Sequence, residues 1–272
     1  MNLEGIIIQK TPYKDRDLIA KFLLRSGKVI NLYFYGGRGG GKHNKGSILE
    51  LGYMLKVTLA PRRKAIEQDI KIAKEWKLIW DAGSLRNDFH GFYYLSFLFE
   101  IAQKISLDFD SSDPDNDEHA GVFNIISNSI FYLDKSIKDG NFDLFSQAFL
   151  MLGKLNFQLG ILPDYNNCQF CNIDLDKIDL IQFEPQNGGF TCRECLLRED
   201  QSIHNSKALF YELKSSTELR EAMKFVMHLK FSEYYKLNSI TRAQTQAVFN
   251  YFCYQFNFQP NNFKTWAVIS KL

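Results

Sequence analysis

The sequence predicts an α+β chain: a five-stranded barrel in roughly the first eighty residues, then an all-helical domain with a four-cysteine hairpin inserted in it. Three observations carry that reading. Apolar residues alternate with a period of two until about residue 80 and crowd successive helical turns after it. Two Cys-x-x-Cys pairs interrupt the helical part. The charge changes sign at the same boundary: residues 1–80 hold 16 Lys and Arg against 7 Asp and Glu, and the remainder holds 17 against 24, within a net charge of +2. A chain of 272 residues, 45% hydrophobic and 15% aromatic, has enough apolar surface for two cores. The expected domains are therefore 1–80 and 81–272, with the hairpin at about 163–203.

The first strand is seen in Gly5-Ile6-Ile7-Ile8, the second in Leu18 to Leu24 and the third in Val29 to Tyr35. Leu49, Leu51, Tyr53, Leu55, Val57 and Leu59 then alternate with Glu50, Gly52, Met54, Lys56, Thr58 and Ala60, the pattern of a strand with one face on a core, and Pro61 ends it. A last strand from about Ile66 to Ala73 completes the set. Five strands in eighty residues match a small closed barrel of the oligonucleotide- and oligosaccharide-binding (OB) type, and a small open sheet gives the same pattern.

Beyond Trp80, Phe89, Phe92, Tyr93, Leu95, Phe99 and Ile101 mark a first helix. Further helices are expected at 119–138, 142–159, 206–214, 217–235 and 241–257, with the cysteine hairpin between the second and third of these. Asp108 to Glu118 holds six acids and Pro114 and reads as an exposed linker. Its Asp-x-Asp-x-Asp spacing fails as a calcium loop, because Glu118 stands where the sharp turn needs glycine.

Cys168-Gln-Phe-Cys171 and Cys192-Arg-Glu-Cys195 lie twenty residues apart. Two residues between paired thiolates let both sulfurs reach one ion from a tight turn, and a second such turn closes a tetrahedron, so Cys168, Cys171, Cys192 and Cys195 read as the ligands of a structural Zn²⁺. Gly188-Gly189 suits the hairpin that returns the chain to the metal. Two disulfides, or four unrelated thiols, are the alternatives. The odd Cys253 in an aromatic helical run fits a reducing compartment. With no apolar run long enough for a membrane span and no signal-peptide pattern at Met1 to Gly5, a cytoplasmic protein is expected.

Gly36 to His43 matches seven positions of a phosphate-binding P-loop. The eighth fails, since His43 lacks the hydroxyl that holds magnesium and no helix is expected to follow. What remains is a side-chain-poor loop carrying Arg38, Lys42, His43 and Lys45 beside Tyr33, Phe34 and Tyr35, with Arg62, Arg63 and Lys64 at another turn. Alternation sends Tyr33 and Tyr35 to one face and Phe34 to the core. Cations with interleaved rings suit nucleic acid: cations neutralise phosphates, and bases stack on aromatic faces. Candidate phosphate contacts are Lys14, Arg16, Arg38, Lys42, Lys45, Arg62, Arg63 and Lys64, although Asp15 and Asp17 could hold Lys14 and Arg16 in ion pairs. Catalytic motifs such as HExxH and G-x-S-x-G are lacking, the five histidines are scattered, and no catalytic residue is expected. A zinc-containing enzyme acting on nucleic acid or nucleotides is the competing class. A transcription factor reading bases through the hairpin would need a basic helix beside the metal, where Glu194, Glu199 and Asp200 oppose Arg193 and Arg198.

Taken in order, Gly5-Ile6-Ile7-Ile8, Tyr13 to Ile19, Gly27-Lys28, the Gly36–Lys42 loop, the paired cysteines and Leu237 to Arg242 resemble the RecO family of recombination mediators. The loop departs from the family's pattern, where a richer basic run is usual. The resemblance implies an OB-fold that binds single- and double-stranded DNA and anneals complementary strands. It also implies loading of RecA onto DNA coated by single-strand binding protein, together with RecR, at the nucleoid. The helical domain would then grip the acidic, aromatic-ended tail of the coating protein, with Arg220, Lys224, Lys230, Lys236 and Arg242 as candidate cations.

Overall fold

The computed structural model describes residues 1–38, 45–61, 70–107, 120–178, 181–199, 207–237 and 240–271. Five strands, β1 (Asn2–Tyr13), β2 (Asp17–Leu24), β3 (Val29–Phe34), β4 (Met54–Leu59) and β5 (Ile70–Trp80), close into a barrel in the order β1-β2-β3-β5-β4. All pairings are antiparallel except β3 with β5, so the chain must cross over between them, as the OB topology requires. Leu18, Ala20 and Phe22 of β2 point inward at alternate positions and meet Ile7, Leu32, Phe34, Leu55, Val57, Ala73 and Trp76. Phe34 is fully buried and packs edge-on against Trp76 at 5.1 Å, the core role its alternation predicts.

Two strands depart from the expected bounds. Lys45–Ile48 forms a 3₁₀ turn and Gly52 adopts a φ of +81°, so β4 begins only at Met54, although Leu49 still reaches the barrel core. The last strand runs to Trp80, seven residues past Ala73. It is bulged there: Ala73 pairs with Leu59 and Glu75 with Thr58, leaving Lys74 without an opposite residue. The bulge lets both Ala73 and Trp76 face inward and breaks the period-two signal. Residues 62–69, with the start of the expected strand and with Arg62, Arg63 and Lys64, lie outside the described residues, as do Lys42, His43 and the acidic stretch 108–118.

The chain divides into two compact units, Met1–Phe142 and Asp143–Leu272. The first contains more than the barrel because α1 (Phe89–Leu107) and α2 (Ala120–Lys138) pack with it. Lys21 Nζ donates to Gln103 at 2.9 Å, and Arg25 lies 5.7 Å over the Phe123 ring. The compact division therefore falls well beyond the change of secondary structure near residue 80.

The second unit holds α3 (Leu144–Gln158), a hairpin of β6 (Ile181–Glu184) and β7 (Gly189–Cys192), α4 (Arg193–Glu199), α5 (Lys207–Val226), α6 (Arg242–Gln255) and α7 (Lys264–Ile269). Asp143 caps α3 by accepting from the Phe145 and Ser146 N–H groups, and Thr241 with Gln244 forms a reciprocal capping box on α6. The helices expected at 206–214 and 217–235 are instead one helix, α5, followed by a 3₁₀ segment, Phe231–Lys236. Ser216 lies in the gap between the two expected helices. In the fold its hydroxyl accepts from the Phe183 N–H at 3.1 Å, so a tertiary partner absorbs the group that would compete with the helix backbone. Among the described residues, no helix is long and apolar enough to cross a membrane.

Candidate metal centre and nucleic-acid surface

The two cysteine pairs sit on different local devices. Cys168 follows Asn167, which bridges to Asp174, and the intervening turn passes through Asn172 in the left-handed region at φ 58°. Gly188, at φ 90°, reverses the chain between β6 and β7. Cys192 then ends β7, and Cys195 lies in the first turn of α4. These turns bring four sulfurs, none in a disulfide, within 4.8 Å of one another, with Cys168, Cys192 and Cys195 buried and Cys171 exposed.

The spacing fits a metal. Thiolates bound at about 2.3 Å to one tetrahedral ion lie about 3.8 Å apart, and Cys171 Sγ is 3.7 Å from Cys192 Sγ. Burial pushes the Cys168 thiol up, but the backbone N–H groups of Cys171, Cys192 and Phe170 outweigh it and bring it down to about 7. Burial and the neighbouring sulfurs push Cys195 up. Were all four deprotonated, sulfurs so close together would repel without a cation between them, and this cluster could hold one.

The hairpin is tied to α5 through Arg220, whose position overturns its expected role as a surface cation. Only 3% of Arg220 is exposed, and its guanidinium donates to the Tyr165 carbonyl and the Asp176 carboxylate. Lys224 also reaches Asp176, at 3.0 Å, and Lys236 pairs with Glu233. Lys230 and Arg242 are exposed and pair with no carboxylate among the described residues. Asp176 is held below its ordinary 3.8 by Lys224 first and Arg220 second. Its folded value being depressed, the unfolded chain binds more protons in acid. The contribution of Asp176 is present above its ordinary value and fades as pH falls through the lower folded one. Arg220→Ala, which leaves the Tyr165 carbonyl without its donor, should cost about 1–3 kcal/mol at pH 7. The part of the penalty owed to Asp176 should shrink as pH falls below its ordinary 3.8, as thermal melts at pH 7 and in acid would reveal.

At one end of the barrel, Tyr13 pairs with Asp17 across a turn made of Lys14, Asp15 and Arg16, with Lys14 at φ 49°. The Arg38 N–H donates to the Arg16 carbonyl at 2.9 Å and so brings the chain after β3 onto the β1–β2 turn. Lys14, Arg16 and Arg38 are thereby gathered and exposed. Asp17 does not pair with them. It accepts from the Tyr33 hydroxyl and, at 2.8 Å, from the Gly36 N–H, and these bonds hold its carboxyl below the usual range. Tyr33 lies between Tyr13 and Tyr35, with ring centroids 5.5 and 4.5 Å away. The side chain of Lys45 is outside the described residues.

Three other barrel cations are occupied: Lys10 by Glu50, and Arg25 and Lys56 by Glu4. Lys71, Lys74 and Lys77 on β5 are exposed and pair with no carboxylate among the described residues. Sequence reading passed over them because the bulge at Lys74 hides the strand. It also passed over Tyr13, whose signal was its place directly before Lys14.

A closed OB barrel with a helical remainder and a four-cysteine cluster defines a fold class rather than a single protein. No family model matches the chain. Two curated relatives do, both named DNA repair protein RecO. One, from Thermodesulfovibrio yellowstonii, is 25% identical over 196 residues, covering 71% of this chain and 68% of the relative. The other, from Maridesulfovibrio salexigens, is 22% identical over 193 residues, covering 71% and 72%. Over about 71% of its length the chain is thus similar to proteins of the RecO family.

Proposed function

We propose that this protein acts in DNA repair and homologous recombination as a mediator without covalent chemistry. It binds single- and double-stranded DNA on the barrel, anneals complementary strands and, with RecR, helps load RecA onto DNA coated by single-strand binding protein. The observation that carries the reading is the gathering of Lys14, Arg16 and Arg38 at one end of an OB barrel whose aspartate is already engaged by Tyr33 and Gly36. Two polyanions repel, so cations that hold one strand and shield its phosphates lower the barrier to pairing with a second. Arg62, Arg63, Lys64, Lys42 and Lys45 are proposed to extend this surface. Lys71, Lys74 and Lys77 join them as exposed strand cations.

Cys168, Cys171, Cys192 and Cys195 would hold a structural Zn²⁺, whose four thiolates leave no open position for a substrate. Lys224, Lys230, Lys236 and Arg242 are proposed as cations for the acidic tail of the coating protein, with exposed Phe157 and Phe225 offering apolar contact. The name of these relatives supports a repair role, and the cytoplasmic nucleoid is its proposed setting.

Salt titration tests the electrostatic core of this reading. Replacing Lys14, Arg16 and Arg38 together by alanine should weaken binding to all sequences alike and reduce the slope of log K against log salt by up to about three, roughly one for each phosphate that is no longer neutralised. An unchanged slope, or an altered sequence preference, would rule out a phosphate-binding role there.

A further inference from the structure

We infer that Tyr35 and Tyr13 form a stacking platform for unpaired bases, so that the barrel grips a single strand and loosens its hold once that strand is paired. This rests on the DNA-binding reading above and names the part of the ligand that the rings recognise.

Tyr35 is 52% exposed and Tyr13 39%, whereas Tyr33 between them is 3% exposed. The two outer rings meet the middle one edge to face, at interplanar angles of 76° and 61°. Tyr33 is fixed at its far end, because its hydroxyl donates to Asp17, whose other oxygen accepts from the Gly36 N–H. That second bond lies directly after Tyr35, so the same carboxylate braces the backbone carrying the more exposed ring. A site held in this way spends little conformational freedom on binding.

The cations stand beside the rings. Lys14 Nζ lies 5.5 Å from the Tyr13 ring centre, and the bond from Arg38 to the Arg16 carbonyl adds two more positive side chains at the same end. Because Lys14 covers part of Tyr13, Tyr35 is the principal ring and Tyr13 the second. Flat rings with flanking cations match bases and phosphates whatever the sequence. In a duplex the base faces are already covered by their neighbours, leaving the phosphates alone to be held. A strand that anneals on this surface therefore surrenders its stacking on the rings while its phosphates stay beside the cations, which favours release of the paired product.

The test compares the full chain with Tyr35→Ala, Tyr13→Ala and Tyr35→Phe, using fluorescence anisotropy with labelled oligo(dT), a duplex of equal length and an acidic peptide ending in phenylalanine. Tyr35→Ala should weaken oligo(dT) binding by about 5- to 150-fold, the range one base stacked on a ring supplies, with Tyr13→Ala giving a smaller loss. Duplex affinity and the salt slope should hold within twofold, and Tyr35→Phe should retain oligo(dT) binding. Equal losses for single strand and duplex, or no loss for either alanine variant, would overturn the platform. So would a loss confined to the peptide, which would make the occupant a protein tail. Wild-type chain that retained neither oligonucleotide would remove the DNA-binding reading itself, a result separable from a platform failure by its appearance before any substitution.

Discussion

Replacing Cys168 and Cys171 by alanine is expected to remove about one zinc per chain and to melt the second compact unit at a markedly lower temperature. The hairpin does not stand alone, being tied to α5 through Arg220 and Ser216, but its own strands supply little. Strands β6 and β7 are four residues each, too short to stand as an isolated pair in water. Their buried Phe183 and Phe190 pack together at 4.8 Å, and Phe183 meets Tyr251 of α6 at 5.7 Å, so unravelling the hairpin uncovers part of the core of that unit. Zinc fingers gain about 10–16 kcal/mol of apparent binding energy from their ion at neutral pH, and a loss of several kcal/mol is expected here because α3, α5 and α6 provide further packing. Calorimetry with metal analysis would register the change. Unchanged melting in a variant that never carried metal would refute the structural ion. Oligonucleotide retention by the barrel should survive, and its loss in a folded variant would assign the cluster a direct part in binding.

A comparably severe outcome is expected for Gly5→Ala, although alanine suits a strand better than glycine does. Gly5 pairs with Leu24 on one side and Leu55 on the other, so it sits where β1 is held by both neighbours. A β-carbon there would stand 2.2 Å from the Leu23 carbonyl oxygen and 2.8 Å from the Phe22 ring. The ring could turn, but the carbonyl belongs to a paired strand and moves only if the ladder opens. Overpacking costs about 1–3 kcal/mol where side chains can yield, and a clash with backbone should reach or exceed the top of that range. Gly36→Ala is the control: nothing lies within 4 Å of its β-carbon, and only the left-handed φ of +66° opposes the change, at about 1 kcal/mol or slightly more. Urea unfolding should rank the two variants in that order. Equal stabilities would mean that β1 and β2 do not meet in this register.

Much of this architecture was legible in residue spacing. Alternation in Leu18, Ala20 and Phe22 depends only on the pleat of a strand, and the helices at 119–138, 142–159 and 241–257 emerged within two residues of their expected bounds. The four-cysteine cluster was readable because each Cys-x-x-Cys pair is a local turn. The bulge at Lys74, the continuity of α5 through Ser216 and the burial of Arg220 were not, since each depends on a partner remote in sequence: Thr58 with Leu59, Phe183, and Tyr165 with Asp176.

Composition and local periodicity, by themselves, determined a basic strand-rich front, a helical remainder and a thiolate cluster, because pleat, helical repeat and turn act over a few neighbouring residues. Which charges stay available was decided only in three dimensions. Arg220 and Lys14 are both single cations in the sequence, yet one is buried against Asp176 while the other stands exposed on a turn whose Asp17 accepts from Tyr33 and Gly36. A charge's availability depends on its distance from other charges and from water, and chain closure alone sets those distances.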